Sequence, residues 1–259
     1  MRVMKQKQRM DADTSGAAAG GSAILSGTLQ LGVTPRSLAG AFGTVVALLL
    51  VLHCAVQTAR FMTGDDRFYG LVYMFSVGSD GNIPTFYSAF ALLFCSGLLA
   101  LTGLLTSVSK KPMKTYWYVL ALIFVFLATD EMLELHEKLI EPLRAALQTS
   151  GMFHYAWIIP YAIATGAIGG VYLKFLLSLP RRTGIGFVIS GSIFIAGAVG
   201  LEMVGGVLFE SVGGKSPGYV VAQTIEEALE MIGIVMFIYF IADYIVNEFS
   251  TASISLVGD

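Results

Sequence analysis

The stretch 219-YVVAQTIEEALEMIGIVMFIYFIADYIV-246 decides the fold class of this chain. It is longer than the about 20 predominantly apolar residues that an α-helix needs to cross a bilayer. Three acids, Glu226, Glu227 and Glu230, lie near its start. Because carboxylates are costly in hydrocarbon, they read as functional groups that are paired, protonated or bound to a cation. The stretch therefore predicts a transmembrane helix that carries part of a site.

The whole chain has the composition of an integral membrane protein. Hydrophobic residues make up 55% of its 259 residues and charged residues 13%, and the mean hydropathy is +0.73, values that a soluble domain does not need. We predict an all-α, polytopic membrane helix bundle with six transmembrane helices over residues 38–247. The predicted spans are Leu38–Arg60, Pro84–Val108, Tyr116–Glu134, Tyr155–Leu179, Gly184–Leu208 and Tyr219–Val246.

Both ends of the chain are predicted to be cytoplasmic tails. Residues 1–37 begin with basic residues and continue as a Gly/Ala/Ser-rich run, and residues 248–259 form a short second tail. No apolar stretch directly follows the N-terminal charges, so residues 1–37 are interpreted as a flexible tail and not as a cleavable signal peptide.

The distribution of Lys and Arg predicts the orientation. With the N-terminus inside, the inner segments hold 11 of these residues and the outer segments hold 5. Cytoplasmic loops carry the excess of positive charge, so we predict both termini inside, in a bacterial cytoplasmic (inner) membrane. The acids of the third, fifth and sixth helices then all lie in the outer half of the bilayer or at its outer interface.

These acids form the candidate site, together with one histidine. Gln223 and the three acids of the sixth helix share one helical face. In the third helix, Asp130, Glu134, Glu137 and Glu141 are predicted to form a similar face, with Glu131 beside it. His136 would then point away, so it joins the site only if the helix ends or bends there. The candidate metal ligands are Glu202, Glu226, Glu227, Glu230, Asp130, Glu131, Glu134 and His136.

A metal ion is the simplest way to hold these carboxylates together. No Lys or Arg lies within the hydrocarbon part of the outer halves of the spans, and closely spaced carboxylates cannot all stay ionised without protons or a cation. We predict a divalent or trivalent metal ion, with iron or manganese favoured and zinc or calcium possible. Carboxylate-bridged two-metal centres use Glu-x-x-His pairs, whereas this chain has only Glu-x-x-Glu pairs.

Structural interpretations compete for several other polar residues. Glu137 and Glu141 are explained equally well by a solvated amphipathic extension, and His154 fits an interfacial aromatic belt. His53 is more simply a hydrogen-bond partner of Gln57. Asp65, Asp66 and Asp80 are interpreted as loop residues, and Cys54 and Cys95 as packing residues.

Two resemblances follow from these motifs. Asn82-Ile-Pro-Thr-x-Tyr-Ser88, Asp130-Glu131…His136-Glu137 and Glu226-Glu-Ala-Leu-Glu-Met-x-Gly233 together resemble an uncharacterised family of bacterial multi-pass membrane proteins, which implies no assigned activity. The repeated pattern acid-Glu-x-Leu-Glu at 130–134 and 226–230 is similar in spacing to the Arg-Glu-x-x-Glu motifs of high-affinity iron permeases. Here Asp130 and Glu226 replace the arginine, and the chain has one helix fewer than that family.

The sequence leaves more than one function open. The inner halves of the spans carry few polar residues, which favours a fixed, metal-binding and redox-capable site over a conduction path. A cation or proton-coupled transporter and an accessory subunit with a structural site are the alternatives, so whether the chain is an enzyme stays undecided. The predicted partners are the lipid bilayer and an ion or small-molecule ligand, with no nucleic acid, and a protein partner or homo-oligomer is left open.

Overall fold

Six long helices form the protein. A computed structural model describes residues 34–249, and within this range every regular element is a helix. The six helices are α1 (Pro35–Thr63), α2 (Ile83–Val108), α3 (Lys114–Leu133), α4 (Ile158–Ser178), α5 (Arg181–Val212) and α6 (Pro217–Phe249). Each is long and apolar enough to cross a membrane. The prediction of an all-α bundle with six membrane-spanning helices is confirmed. The predicted tails lie almost wholly outside the described residues.

Shorter helices lie in the connections. A 3₁₀ turn (Phe68–Gly70) and a short α-helix (Leu71–Phe75) lie between α1 and α2. Between α3 and α4 lie a 3₁₀ turn (Glu137–Leu139), a short α-helix (Ile140–Leu147) and a second 3₁₀ turn (Gly151–Phe153).

Local sequence signals set the ends of the first two long helices. The Thr34 side chain accepts a hydrogen bond from the backbone N–H of Ser37 in a capping box, and Pro35 occupies the first turn, where its missing N–H costs nothing. Asn82 caps α2 in the same way, by accepting from the backbone N–H of Thr85. Gly64 ends α1 in the left-handed conformation, with φ 69°, which glycine adopts without a steric cost.

The third helix ends earlier than the predicted acidic face requires. Its last helical residue is Leu133, and Glu134 follows in the left-handed conformation, with φ 52° and ψ 45°. The chain therefore turns, and residues 137–147 form separate short helices. The single acidic face predicted for Asp130, Glu134, Glu137 and Glu141 was wrong, because these residues do not belong to one continuous helix.

The fifth helix contains a π-helical turn. Residues Ala196–Leu201 form this turn between the α-helical segments Arg181–Ile195 and Glu202–Val212. A π turn inserts an extra residue and shifts the face that follows, and such turns are frequent at functional sites. Glu202 is the first residue after it.

The two ends of the bundle have different characters. At the end where α3 finishes and α6 begins, which we call the acidic end, the connections touch one another: Lys215 donates to Asp66, and the backbone N–H of Gly151 donates to Glu210. At the other end, which we call the basic end, Lys111 pairs with Glu248 at 2.7 Å.

Apolar side chains fill the basic half of the bundle. Trp117, Phe175, Phe187, Phe237 and Tyr244 are all buried in one hydrophobic cluster. Many large apolar side chains also lie on the outside of the bundle, including Leu48, Val51, Leu122, Ile163 and Leu177. This outward-facing apolar surface is the arrangement expected of a bundle whose solvent is lipid.

Candidate functional site

A cavity with an acidic lining lies at the acidic end of the bundle. Its volume is about 160 Å³, which corresponds to on the order of ten water-sized positions. Among the described residues, eight acids and one histidine line it, and no Lys or Arg does. They are Asp80, Asp130, Glu131, Glu137, Glu202, Glu226, Glu227, Glu230 and His136.

The cavity brings together most of the residues that the sequence singled out. Seven of the eight predicted ligands line it, contributed by α3, by α5, by α6 and by the turn after α3. The exception is Glu134, which takes the left-handed position that ends α3 and is not among the lining residues. The predicted residues thus share one location, while their role as metal ligands stays a prediction.

His136 reaches the cavity because α3 ends at Leu133. The turn folds His136 back onto Asp130, whose Oδ1 accepts from the backbone N–H of His136 at 2.9 Å and whose Oδ2 lies 3.2 Å from His136 Nδ1. The Tyr161 hydroxyl also donates to Asp130 Oδ1, at 3.2 Å. Burial alone would lower the pKa of His136, but the hydrogen bond and charge of Asp130 outweigh it and raise that pKa.

The fifth and sixth helices each place a carboxyl group in the cavity lining. Glu226 of α6 is only 7% exposed, and it lines the same cavity as Glu202 of α5. The indole N–H of Trp157 donates to Glu202 Oε1 at 3.4 Å. Gly205 of α5 lies beside the carboxyl group of Glu226, since a Cβ there would be in ordinary van der Waals contact with Glu226 Oε2, at 3.9 Å.

Asp80 is a cavity residue that the sequence reasoning assigned to a loop. The pKa of its carboxyl group is raised by burial and then by the charge of Glu134. One sequence signal could have revealed Asp80. It lies just before Asn82, the cap of α2, and the predicted topology puts the start of α2 at the same end as the other acids.

Several polar contacts hold the segment that carries Asp80. The Asn82 side-chain amide donates to the carbonyl oxygens of Tyr73, Ser76 and Ser79 at 2.6–3.0 Å. The Gln223 amide donates to the carbonyl of Gly78 at 3.0 Å.

His53 holds the same segment from α1. It accepts from the backbone N–H of Val77 through Nδ1 at 3.1 Å and contacts the Thr224 hydroxyl through Nε2 at 2.8 Å. His53 therefore links three parts of the chain through partners other than the predicted Gln57, and it does not line the cavity.

The structure separates the other residues whose interpretation was open. Glu137 lines the cavity, whereas Glu141 lies outside it and pairs with Arg144 at 3.6 Å. His154 pairs with Glu210 at 2.8 Å and packs against Tyr155 and Phe209; neither His154 nor Glu210 lines the cavity.

Part of the cavity wall consists of aromatic residues. The sequence had not assigned these residues to the site. Tyr155 and Tyr219 share a hydrogen bond of 2.8 Å between their hydroxyl groups. Trp157 packs on His136 with 4.8 Å between ring centroids and on Tyr161 with 5.0 Å. These rings come from the beginning of α4 and of α6, and they restrict how the polar groups beside them can turn.

The acids share a cavity without forming a ready-made coordination sphere. Within residues 34–249, no three His, Cys, Asp or Glu side chains converge closely enough to hold a metal ion. The arrangement can hold protons as it stands, and it can hold a metal ion if the glutamate side chains turn towards it.

Sequence comparison places the chain in a family. A family model described as "Domain of unknown function (DUF8692)" matches residues 41–244. The chain belongs to the DUF8692 family. This range includes every residue that lines the cavity, from Gly78 to Glu230. The predicted membership of an uncharacterised family is confirmed, while a bacterial origin stays a prediction. No curated protein and no solved structure matches the chain.

Proposed function

We propose that this chain is an integral membrane protein that binds a metal cation in the acidic cavity. The observation that carries the proposal is the lining itself: eight carboxyl groups, one imidazole and no Lys or Arg among the described residues. Two like charges 4 Å apart repel by about 4 kcal/mol at an effective dielectric constant of about 20. Carboxylates that share one cavity therefore need a compensating cation or protons.

The pair formed by Glu202 and Glu226 supports a cation most directly. Both side chains line the cavity, and Glu226 is buried at 7% exposure. A carboxylate buried in a cavity whose described lining holds no Lys or Arg needs another positive charge near it or a proton. Oxygen ligands from two helices are a common way to bind Mn²⁺, Ca²⁺ and related ions.

The residues that line the cavity favour a fixed binding site over a conduction path. Leu92, Leu127 and Phe194 are among the residues that line it, and after Glu230 the buried face of α6 continues as Met231 and Ile234. The polar lining therefore stops inside the bundle. A permease would need polar groups that continue to the opposite end.

We propose further that the cavity faces the extracytoplasmic side. The supporting observation is charge: the connections at the basic end and the N-terminal segment together hold 11 of the 16 Lys and Arg residues of the chain. An excess of positive charge marks the cytoplasmic side of multi-pass proteins.

Protons are the second candidate occupant, and one observation favours them. Three acidic or histidine side chains do not converge on a common point in the described part of the chain. A proton-filled cavity would make a proton-coupled carrier the better account, with its cytoplasmic opening in another conformation.

Elemental analysis distinguishes the two occupants. The detergent-purified protein is compared with its Glu227→Ala/Glu230→Ala variant, with thermal unfolding as the check on folding. Stoichiometric transition metal in the parent and its loss in the variant support the metal site. No metal in a folded parent, even after growth and purification with added Mn²⁺ or Fe²⁺, contradicts it and favours protons.

A further inference from the structure

The histidine of the cavity differs from its carboxylates in how it is held. His136 Nδ1 lies 3.2 Å from Asp130 Oδ2, and the backbone N–H of His136 donates to the other oxygen of the same carboxylate. An ionised carboxylate only accepts hydrogen bonds, so this contact places the proton of a neutral imidazole on Nδ1. The second ring nitrogen, Nε2, makes no hydrogen bond within the described residues, and the side chain lines the cavity.

Asp130 is held as a supporting residue and not as a free ligand. It is 6% exposed, and its Oδ1 accepts a second hydrogen bond, from the Tyr161 hydroxyl at 3.2 Å. With three hydrogen bonds to its carboxylate, Asp130 has less capacity to bind a cation than Glu227 or Glu230, to which no residue between 34 and 249 donates.

Ring packing fixes the imidazole from the side. The centroid of Trp157 lies 4.8 Å from that of His136, and the Trp157 indole N–H is turned to Glu202. Metal-binding histidines generally donate their other ring N–H to a carboxylate, which sets the tautomer and the ring orientation. The Asp130–His136 pair has that arrangement, and the His136 side chain lines the cavity.

We propose that His136 binds the cation through Nε2, that Asp130 is its positioning residue, and that the cation is a first-row transition metal ion. This inference rests on the proposed function, because it names the class of ion held in the same cavity. Mg²⁺ and Ca²⁺ bind mainly oxygen ligands, whereas imidazole together with carboxylate suits ions such as Fe²⁺ and Zn²⁺, for which Mn²⁺ serves as a paramagnetic probe. Glu227 and Glu230 supply the carboxylates from α6, their side chains turning towards the bound ion.

Pulsed electron paramagnetic resonance of the Mn²⁺-loaded full chain tests the assignment. The protein is depleted of metal, titrated with Mn²⁺ and examined for ¹⁴N coupling from a ligated imidazole, which changes on labelling with ¹⁵N-histidine. We expect the coupling in the parent and its loss in His136→Gln. The matched control is His154→Gln, because His154 also pairs with a carboxylate at the acidic end but lies outside the cavity; it retains the coupling.

The positioning role of Asp130 has its own readout. Asp130→Asn raises the Kd for Mn²⁺ by about 10- to 100-fold, the range found for removal of such supporting partners, and it changes the nitrogen coupling at saturating Mn²⁺. A variant that weakens folding alone would leave the coupling of the remaining folded protein unchanged.

The class of ion is tested by competition. We expect a thousandfold excess of Mg²⁺ or Ca²⁺ to leave the bound Mn²⁺ in place.

The outcomes separate the two proposals. Mn²⁺ binding that requires Glu227 and Glu230 but shows no imidazole coupling overturns the assignment of His136 and leaves the metal cavity standing. Displacement of Mn²⁺ by Mg²⁺ or Ca²⁺ overturns the ion class. No saturable Mn²⁺ binding by the folded parent overturns the proposed function and the assignment together.

Discussion

A methyl group on Gly197 would lie 2.7 Å from the backbone carbonyl oxygen of Glu226 and 2.9 Å from Cγ of Glu230. The π turn of α5 and the acidic face of α6 therefore touch at the level of the cavity. A Cβ on Gly200, three residues later in the same π turn, would meet nothing within 4 Å. Gly197 is the glycine on which the contact depends.

Gly197→Ala is expected to destabilise the protein by about 1–3 kcal/mol, the usual cost of forcing a methyl group into a packed contact. It should also weaken cation binding, because α5 must move away from Glu226. Thermal unfolding in detergent and Mn²⁺ titration measure the two effects. Gly191→Ala is the matched control in the same helix, since its Cβ would meet nothing within 4 Å and alanine favours the helix. Equal unfolding temperatures for the two variants would contradict the contact.

His53→Leu is expected to lower both stability and cation affinity without removing a cavity residue. The substitution leaves the buried N–H of Val77 without its acceptor, a loss of about 1–3 kcal/mol. It also frees the segment that places Asp80 in the cavity. Cys54→Ala, at the neighbouring exposed position, serves as the control and should change neither property. Unchanged Mn²⁺ affinity in a measurably destabilised His53→Leu variant would show that the segment does not contribute to the site.

The metal-depleted protein is expected to become less stable as the pH rises. The pKa of Asp80 is raised by burial, so the folded state holds this proton more tightly than the unfolded chain does. That contribution is complete below the unfolded pKa of about 4 and is lost as the pH rises through the higher folded pKa. Asp80→Asn should remove part of the decline in unfolding temperature measured from about pH 4 upwards in the presence of chelator. If the unfolding temperature of Asp80→Asn fell more steeply with pH than that of the parent, folding would lower the pKa of Asp80 and not raise it.

The sequence was sufficient for the six helices because each apolar stretch is long enough to cross a bilayer. It was also sufficient to bring acids of the third, fifth and sixth helices together, since each of these helices contributes acids to one cavity. It did not predict the exclusion of Glu134, and it made the inclusion of His136 conditional on a break in the helix. Both follow from the left-handed conformation of Glu134, at φ 52°, which ends α3 although the helical spacing of the acids continues past it.

Asp80 shows a second limit of sequence reasoning. Its place before the Asn82 cap puts it at the end of the bundle that holds the other acids, but no local pattern shows that the chain folds inwards there, because the contacts responsible come from distant residues. His53 and Gln223 lie on α1 and α6, and both bind the backbone of residues 77–78. Such long-range polar contacts carry no local pattern, whereas the Asn82 cap beside them does.

Titration of the metal-depleted protein with Mn²⁺ tests the central claim most directly, with free Mn²⁺ followed by electron paramagnetic resonance. The parent is compared with Glu227→Gln/Glu230→Gln, which removes two cavity charges at constant size. The control is Glu141→Gln/Glu248→Gln, which removes two charges outside the cavity. We predict saturable binding in the parent and the control and its loss in the cavity variant. Equal binding by all three folded proteins, or none by the parent, would contradict a metal-binding function for this cavity.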